Sequence, residues 1–366
     1  MSKKKKIVSK LEEDTVVLKE EIILEESENI ISPADNLSYE VRSCADLYRM
    51  YKSDQLQIQP DFQRNFVWKP ATQTYFIDSL AMGLPIPTIF ISYDTNTGKR
   101  VVIDGLQRIS TIIRFFEFDK WKLNKLPDID QNLAGKSVAA IKKQSPKLYQ
   151  RVENATIPVI TIRSDLSLQS SVDTLFSIFH RLNTGGQKLN SQEIRNCIYS
   201  GKFNNMLKKV VNSDDWKEIM GISPVIDRLG DEEILLRVFC FMDSLDDYNG
   251  NLSKYLNHYM MEKKNISDAE LEDKETMINS ALSYLNGYIE DKMAVSQLGK
   301  TLKEALLVGV IKNVYHIANK TKGDFQAMFE MFIDDDEFKA ENMKHGLAKK
   351  EKVQSRLAKA IDIFSE

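Results

Sequence analysis

The sequence has little of what disulfide-bonded or membrane-spanning proteins need. Only three cysteines occur among 366 residues, far apart in the chain: Cys44, Cys197 and Cys240. They predict buried thiols of a reducing compartment rather than disulfides or a metal site. No apolar run approaches the roughly 18 residues that a transmembrane helix requires. The lysine-rich start of the chain has no apolar segment behind it, so it is not a secretory signal. We therefore expect a cytoplasmic protein without a membrane contact.

Several familiar catalytic patterns are also missing. The four histidines have no metal-ligand spacing: His180, His258, His316 and His345. No G-x-x-x-x-G-K-[ST] phosphate loop occurs, which argues against a P-loop nucleotide hydrolase, and no G-x-S-x-G nucleophile elbow occurs either. The net charge of −3 gives no global support for nucleic-acid binding, although a local basic patch is compatible with it.

The patterning divides the chain into three segments. Residues 1–36 are rich in charge and are expected to be partly disordered, without chemistry of their own. Residues 37–168 mix the two periodicities; strands are predicted at 37–41, 56–58, 88–93, 99–103 and 157–162, and helices at 43–52, 70–83 and 107–118. Residues 169–366 lack strand signals; helices are predicted at 172–182, 190–201, 231–246, 251–264, 267–290, 299–319 and 347–364. The predicted fold class is α+β, with a small mixed-sheet N-terminal domain followed by an all-helical C-terminal domain.

The most informative stretch is a strand that runs directly into a helix. Val101–Ile103 reads as a buried strand, Asp104-Gly105 as a tight turn, and the apolar spacing after it as a helix. Unpaired N–H groups make the start of a helix a natural anion site. Arg108 could add a bidentate phosphate contact, and Asp104 could hold a metal ion or orient a water molecule. In the structural alternative, Asp104 caps the helix and Arg108 forms a surface ion pair. The pattern alone favours neither.

A second polar cluster lies at residues 60–70, between a short strand and a helix. Three aromatic residues alternate there with Gln63, Arg64 and Lys69. Arg64 could be a second phosphate clamp, with the aromatic rings packing the loop or stacking on a base. Taken alone, the pattern favours the alternative, in which the rings are core and the cations face solvent.

A third polar cluster follows a helical stripe, at residues 180–188. The helix ends at Gly185-Gly186, which permits a close approach to a ligand, and Arg181 and Asn183 are candidates for the contact. In isolation, a plain helix–turn–helix corner with Gly185 as its C-cap explains the pattern better.

Four motifs occur in order along the chain: Q-P-D-F-Q-R-N-F-V-W-K (59–69), G-L-P-I-P (83–87), I-D-G-L-Q-R-I-S-T-I (103–112) and F-H-R-L-N-T-G-G-Q-K-L-N-S-Q-E-I-R-N (179–196). Together they resemble the family that forms the N-terminal domain of GmrSD-type modification-dependent restriction systems. R-L-G-D-E-E-I-L-L-R (228–237) is similar to a further helical signature of that family. The resemblance covers roughly residues 40–245 and implies a ParB/sulfiredoxin-like nucleotide-binding domain at 37–168.

The resemblance implies a nucleotide-binding and nucleotide-hydrolysing component of prokaryotic defence against phage or modified DNA. The family motif D-G-Q-Q-R, which is tied to nucleotide hydrolysis, maps onto residues 104–108. Asp104, Gln107 and Arg108 are thus the expected catalytic residues, with Asp104 also the ligand of Mg²⁺ or another divalent ion. The expected contacts to the nucleotide and its phosphates are Gln63, Arg64, Gly105, Ser110, Arg181 and Asn183. The resemblance leaves open which nucleoside triphosphate is bound.

Two departures from the family pattern keep alternatives open. Leu106 replaces the first Gln of D-G-Q-Q-R, so the site could instead bind nucleotide or DNA as a switch without hydrolysis, or nick DNA itself. Larger relatives carry a C-terminal HNH nuclease, which the sequence around His345 does not resemble. We therefore expect a protein without its own HNH nuclease, whose partners are DNA, a separate nuclease or effector subunit, and further copies of itself.

Overall fold

The computed structural model describes residues 36–58, 68–182, 190–221, 229–339, 342–343 and 346–366. Contacts group the described residues up to 182 into one compact unit and those from 190 onward into another. The first unit holds a mixed five-stranded sheet with helices, and the regular elements described in the second are helical. This confirms the predicted α+β class with a helical C-terminal region. Among the described residues, no helix combines the length and the apolar character needed to cross a membrane.

In the sheet of the first unit, the ends of three strands lie side by side. Its strands are β1 (Leu37–Ser43), β2 (Leu56–Gln57), β3 (Ile89–Asp94), β4 (Arg100–Asp104) and β5 (Thr156–Ser164), in the order β1-β5-β3-β4-β2. Strand β3 is parallel to β5, with Ile89 opposite Val159, and antiparallel to β4, with Phe90 opposite Asp104. The starts of β3 and β5 therefore lie at the same end of the sheet as the end of β4.

Helices of the first unit bury the alternating apolar side chains of the strands. They are α1 (Cys44–Lys52), α2 (Pro70–Met82), α3 (Leu106–Glu117), α4 (Val138–Gln144), α5 (Pro146–Asn154) and α6 (Gln169–Leu182). Ile89, Ile91 and Val159 form one core with apolar side chains of α1 to α5. Helix α6 packs on β5 and buries Val172 and Leu175. It therefore groups with the sheet, although the sequence analysis placed it at the start of the helical domain.

The second unit is a helical assembly around one central helix. Its helices are α7 (Ser191–Ile198), α8 (Lys202–Val211), α9 (Asp214–Met220), α10 (Gly230–Ser244), α11 (Leu252–Glu262), α12 (Asp268–Tyr288), α13 (Lys292–Ser296), α14 (Lys300–Lys312), α15 (Val314–Ile317), α16 (Lys322–Asp334) and α17 (Lys350–Ile363). Helix α14 is buried from Thr301 to Ile311 and packs between α10 and α17. A Cβ on Gly309 would lie 2.8 Å from the carbonyl oxygen of Ala360, so the glycine permits the close approach of α14 and α17.

Candidate functional site

The junction between β4 and α3 is built around a glycine that no other residue could replace without strain. Gly105 has a φ of +94°, in the left-handed region. A Cβ at this position would lie only 2.8 Å from Cγ1 of Ile89. The predicted Asp-Gly turn is present, and it brings the Asp104 carboxylate to the start of α3.

Arg108 connects the end of β4 with the loop that precedes β3. Its Nη2 donates to Oδ2 of Asp104 at 2.7 Å, and its Nη1 donates to the carbonyl oxygens of Pro87 at 2.5 Å and Thr88 at 2.9 Å. The ion pair is partly shielded, since the side chain of Arg108 is 13% exposed and that of Asp104 is 32% exposed. Three of the five N–H groups of the guanidinium are thus engaged by the protein.

The carboxylate of Asp104 does not cap α3, contrary to the structural alternative. The N-cap position belongs to Gly105, which has no side chain to offer, and the first turn contains no acidic residue. The first N–H groups of a helix have no intrahelical acceptor, and they carry the positive end of the helix dipole. Asp104 accepts from Arg108 through Oδ2, while its Oδ1 accepts no hydrogen bond from any residue that the structure describes.

Gln107 connects α3 with the chain that leads into α2. Its Oε1 accepts from the backbone N–H of Trp68 at 3.3 Å. The Trp68 carbonyl accepts from Nε2 of the buried Gln73 at 2.9 Å, and Arg114 donates to Oε1 of Gln73 at 2.8 Å. The start of α2 is therefore fixed against α3, and the side-chain NH₂ of Gln107 donates to no residue within the described ranges.

Two further residues of the D-G-L-Q-R-I-S segment are buried. Leu106 belongs to the hydrophobic core, so its side chain packs on the protein. Ser110 is only 4% exposed, and its hydroxyl has no hydrogen-bond partner in the described part of the chain. A buried hydroxyl of this kind is normally satisfied by water or by a ligand.

The structure brings together only part of the predicted site. Asp104, Gly105, Gln107 and Arg108 lie at the junction, and Ser110 is buried on the second turn of α3. Of the other predicted contacts, Gln63, Arg64 and Asn183 lie outside the described residues, and nothing is described for the Arg181 side chain at the end of α6.

An open groove of about 510 Å³ lies beside the junction, and the sequence analysis did not find it. Its lining includes Leu84 and Ile86 of the loop 83–87 together with Arg151, Asn154 and Thr156. The loop 83–87 forms the boundary between groove and junction, because the residue after Ile86 is Pro87, whose carbonyl binds Arg108. Only the G-L-P-I-P motif signalled this loop, and no sequence signal pointed to residues 151–156.

The described residues contain no cluster of three His, Cys, Asp or Glu side chains that could enclose a metal ion. Mg²⁺ needs less than such a cluster, because it is commonly held by one or two carboxylates together with phosphates and water. Oδ1 of Asp104, which accepts no hydrogen bond from a described residue, fits that kind of binding.

Residues of two of the quoted motifs, S-Q-E-I-R-N (191–196) and R-L-G-D-E-E-I-L-L-R (228–237), contact one another inside the second unit. In S-Q-E-I-R-N, Nε2 of Gln192 donates to Oδ1 of Asn196. The side-chain NH₂ of Asn196 in turn donates to the carboxylate of Glu232. Arg195 donates to Asn257 at 2.9 Å and pairs with Glu233. These side chains connect α7 with α10 and α11, so the motif residues serve the packing of helices.

Glu233 is the centre of a buried charge network. Burial alone raises the pKa of its carboxyl, but the charges of Arg237, Lys300 and Arg195 outweigh burial and lower the pKa to about 2. Arg237 also pairs with Glu304 at 3.7 Å. Because each charge has an opposite partner, the network is tolerated in the interior.

The comparison with known families agrees with the motifs. Residues 44–200 match the model of the family described as GmrSD restriction endonuclease, N-terminal domain. No curated protein and no solved structure matches the chain. The matched range contains the whole β4–α3 junction and the groove beside it. Residues 44–200 therefore belong to the family of GmrSD restriction endonuclease N-terminal domains, as the four motifs predicted.

Proposed function

We propose that this chain is the nucleoside triphosphate-hydrolysing component of a DNA restriction system, with its catalytic site at the β4–α3 junction. One observation carries the proposal. The Asp104 carboxylate is fixed by Arg108 through one oxygen, accepts no hydrogen bond through the other from the described part of the chain, and directly precedes a helix start whose N-cap is glycine. Such an arrangement offers a ligand for a divalent ion next to N–H groups that favour phosphate.

The roles follow from the contacts of each side chain. Asp104 would hold the divalent ion through Oδ1, and the ion, when bound, would neutralise phosphate charge. The side-chain NH₂ of Gln107, which has no acceptor among the described residues, would orient the nucleotide or the attacking water. Arg108 acts as a positioning residue, because most of its N–H groups hold Asp104 and the loop 83–87 in place.

A second cation is needed, since Arg108 is largely engaged, and Arg64 is the candidate. Arg64 lies four residues before Trp68, whose N–H binds Gln107. Arg64 itself lies outside the described residues, so its role rests on the family resemblance. Gln63 would act beside Arg64. Arg181 and Asn183 remain proposed contacts on the strength of the family resemblance.

We assign the nucleoside to the groove along the loop 83–87. The apolar side chains of Leu84 and Ile86 suit a base, and Asn154 and Thr156 supply hydrogen-bonding groups. The groove and the junction share the loop, which supports one ligand extending over both.

The first experiment is phosphate release from ATP, GTP, CTP and UTP with Mg²⁺, with and without plasmid and phage DNA. We expect turnover of at least one nucleotide and its loss when EDTA removes the metal ion. Nucleotide binding measured by calorimetry without any phosphate release would contradict hydrolysis.

That contrary result would support a second function, a nucleotide switch that acts through a partner. Two observations favour it. Leu106 is buried where the family has a Gln, and three N–H groups of Arg108 bind the protein rather than a ligand. DNA, a separate nuclease or effector subunit and self-association are the proposed partners in either case. The thiols of Cys44 and Cys240 are free and buried, which supports the proposed cytoplasmic location.

A further inference from the structure

One segment of the first unit is strongly basic although the whole chain is not. Between residues 120 and 151 the sequence has seven lysines and one arginine against two aspartates, a formal charge of +6, whereas the net charge of the chain is −3. Positive charge is therefore concentrated in a short part of the fold that includes α4 and α5.

Most of the lysine side chains in this segment are exposed to solvent. Leu123 donates its N–H to the carbonyl of Lys136, and Val138 donates to that of Trp121, so residues 121–124 pair with 135–138. Trp121 and Leu123 are buried between exposed lysines. Five lysines are exposed on this paired segment and on α4 and α5, which contact one another, and we call them the basic surface: Lys120, Lys122, Lys125, Lys143 and Lys147.

Five acidic residues lie in or next to this segment, at positions 117, 119, 128, 130 and 153, so the formal charge over residues 117–153 is +3. Asp119 is paired with Lys142 at 2.6 Å, and Asp128 accepts the hydroxyl of Tyr75 at 2.9 Å. None of the five lysines forms an ion pair with a residue in the described ranges. The charge is thus presented by a paired segment and two helices whose positions are fixed by the core.

We propose that the basic surface binds the phosphate backbone of duplex DNA. Lysine ammonium groups are point charges that neutralise phosphates irrespective of base sequence. A membrane surface would require an apolar helix face beside the cations, but the apolar side chains of α4 and α5, such as Ile141 and Val152, are buried in the core. The proposal rests on the proposed function only in taking DNA as the partner, and it requires no nucleotide hydrolysis.

The test is fluorescence anisotropy of a labelled duplex of about 30 base pairs with the full chain, over a series of NaCl concentrations. The variant combines Lys120→Gln, Lys122→Gln, Lys143→Gln and Lys147→Gln. The matched control combines Lys254→Gln, Lys322→Gln, Lys349→Gln and Lys352→Gln, which removes the same charge from exposed positions in the second unit. We expect the variant to bind at least about tenfold more weakly and to lose up to about 0.9 of salt slope for each lysine, while the control stays close to the original protein.

Three outcomes would overturn the inference: no DNA binding by the original chain at low salt, equal weakening in both variants, or a variant that loses binding to phosphatidylserine vesicles but not to DNA. Phosphate release without added DNA separates this inference from the proposed function. Turnover without DNA binding overturns only the basic surface, and DNA binding through this surface without turnover overturns only the hydrolase.

Discussion

At the scale of single residues, Gly105 and Arg108 determine how Asp104 is presented. The positive φ of Gly105 turns the chain from β4 into α3, and Arg108 holds the carboxylate through one oxygen. The Asp-Gly pair predicted the turn. The acceptors of Arg108 could not be predicted, because Pro87 and Thr88 lie about 20 residues away and contribute only backbone carbonyls, which carry no side-chain signal.

Replacing Gly105 by alanine should destabilise the first unit strongly. The alanine would have to keep a left-handed backbone conformation, and its Cβ would lie 2.8 Å from the side chain of Ile89. Gly98→Ala is the control, because Gly98 has a φ of +70° but nothing within 4 Å of an added Cβ. We expect Gly105→Ala to cost about 1–3 kcal/mol more than Gly98→Ala in denaturant unfolding. Equal losses would show that the contact with Ile89 has no effect.

Among the helices and strands, the structure confirms those whose apolar residues recur at a regular spacing and whose ends carry a capping or turn residue. Helix α1 begins after Ser43, whose hydroxyl accepts from the N–H of Asp46, and β3 and β4 are joined by the predicted hairpin. The predicted helix 299–319 is divided into α14 and α15 at Asn313, whose side chain donates to the carbonyls of Gly309 and Ile361. This division depends on a helix distant in sequence, so local patterning cannot reveal it.

Helices α4 and α5 escaped prediction because they are too short to display a period. They have seven and nine residues, and each buries only two apolar side chains. Polar and charged residues occupy most of the remaining positions, and the same composition is common in loops. The groove and the basic surface, which depend on these two helices, were consequently missed.

Filling the groove with a larger side chain should weaken nucleotide binding. Leu84→Trp should place an indole in it and raise the KM for the nucleotide about tenfold, while kcat stays within about twofold. Leu168→Trp is the control, since Leu168 is 52% exposed, much as Leu84 is at 53%, but does not line the groove. Steady-state phosphate release gives both constants. If both substitutions leave KM unchanged, the nucleoside does not lie in the groove.

The charge network of α10 predicts a pH dependence of stability. The pKa of Glu233 falls from 4.5 to about 2 on folding, so its ionised form stabilises the native state above about pH 5, and this contribution is lost as the pH falls towards 2. Glu233→Gln should cost about 3–5 kcal/mol at pH 7, because Arg195 loses this ion pair and Arg237 keeps only Glu304 among the described residues. The difference should shrink by pH 3 in urea unfolding. A constant difference from pH 7 to pH 3 would exclude this role for the ionised carboxylate.

At the scale of the whole molecule, the net charge of −3 conceals an uneven distribution. The basic surface occupies one part of the first unit, and Glu233 and Glu304 neutralise arginines inside the second. Composition alone could give neither, because both depend on which charges the fold brings together. The four ordered motifs were sufficient for the family. The partners of Asp104 and the buried network required the structure.

We propose that Asp104 carries the chemistry at the β4–α3 junction, and replacing its carboxylate by an amide is the decisive experiment. Asp104→Asn keeps the size of the side chain but removes the charge that would hold the divalent ion. Asp119→Asn is the matched control, since Asp119 also forms an ion pair on the first unit, with Lys142. The measurement is kcat for Mg²⁺-dependent phosphate release from the best nucleotide, with thermal unfolding recorded in parallel. We expect Asp104→Asn to lower kcat at least about 100-fold with a Tm close to that of the original chain, and Asp119→Asn to leave kcat unchanged. Full turnover by Asp104→Asn would contradict the account.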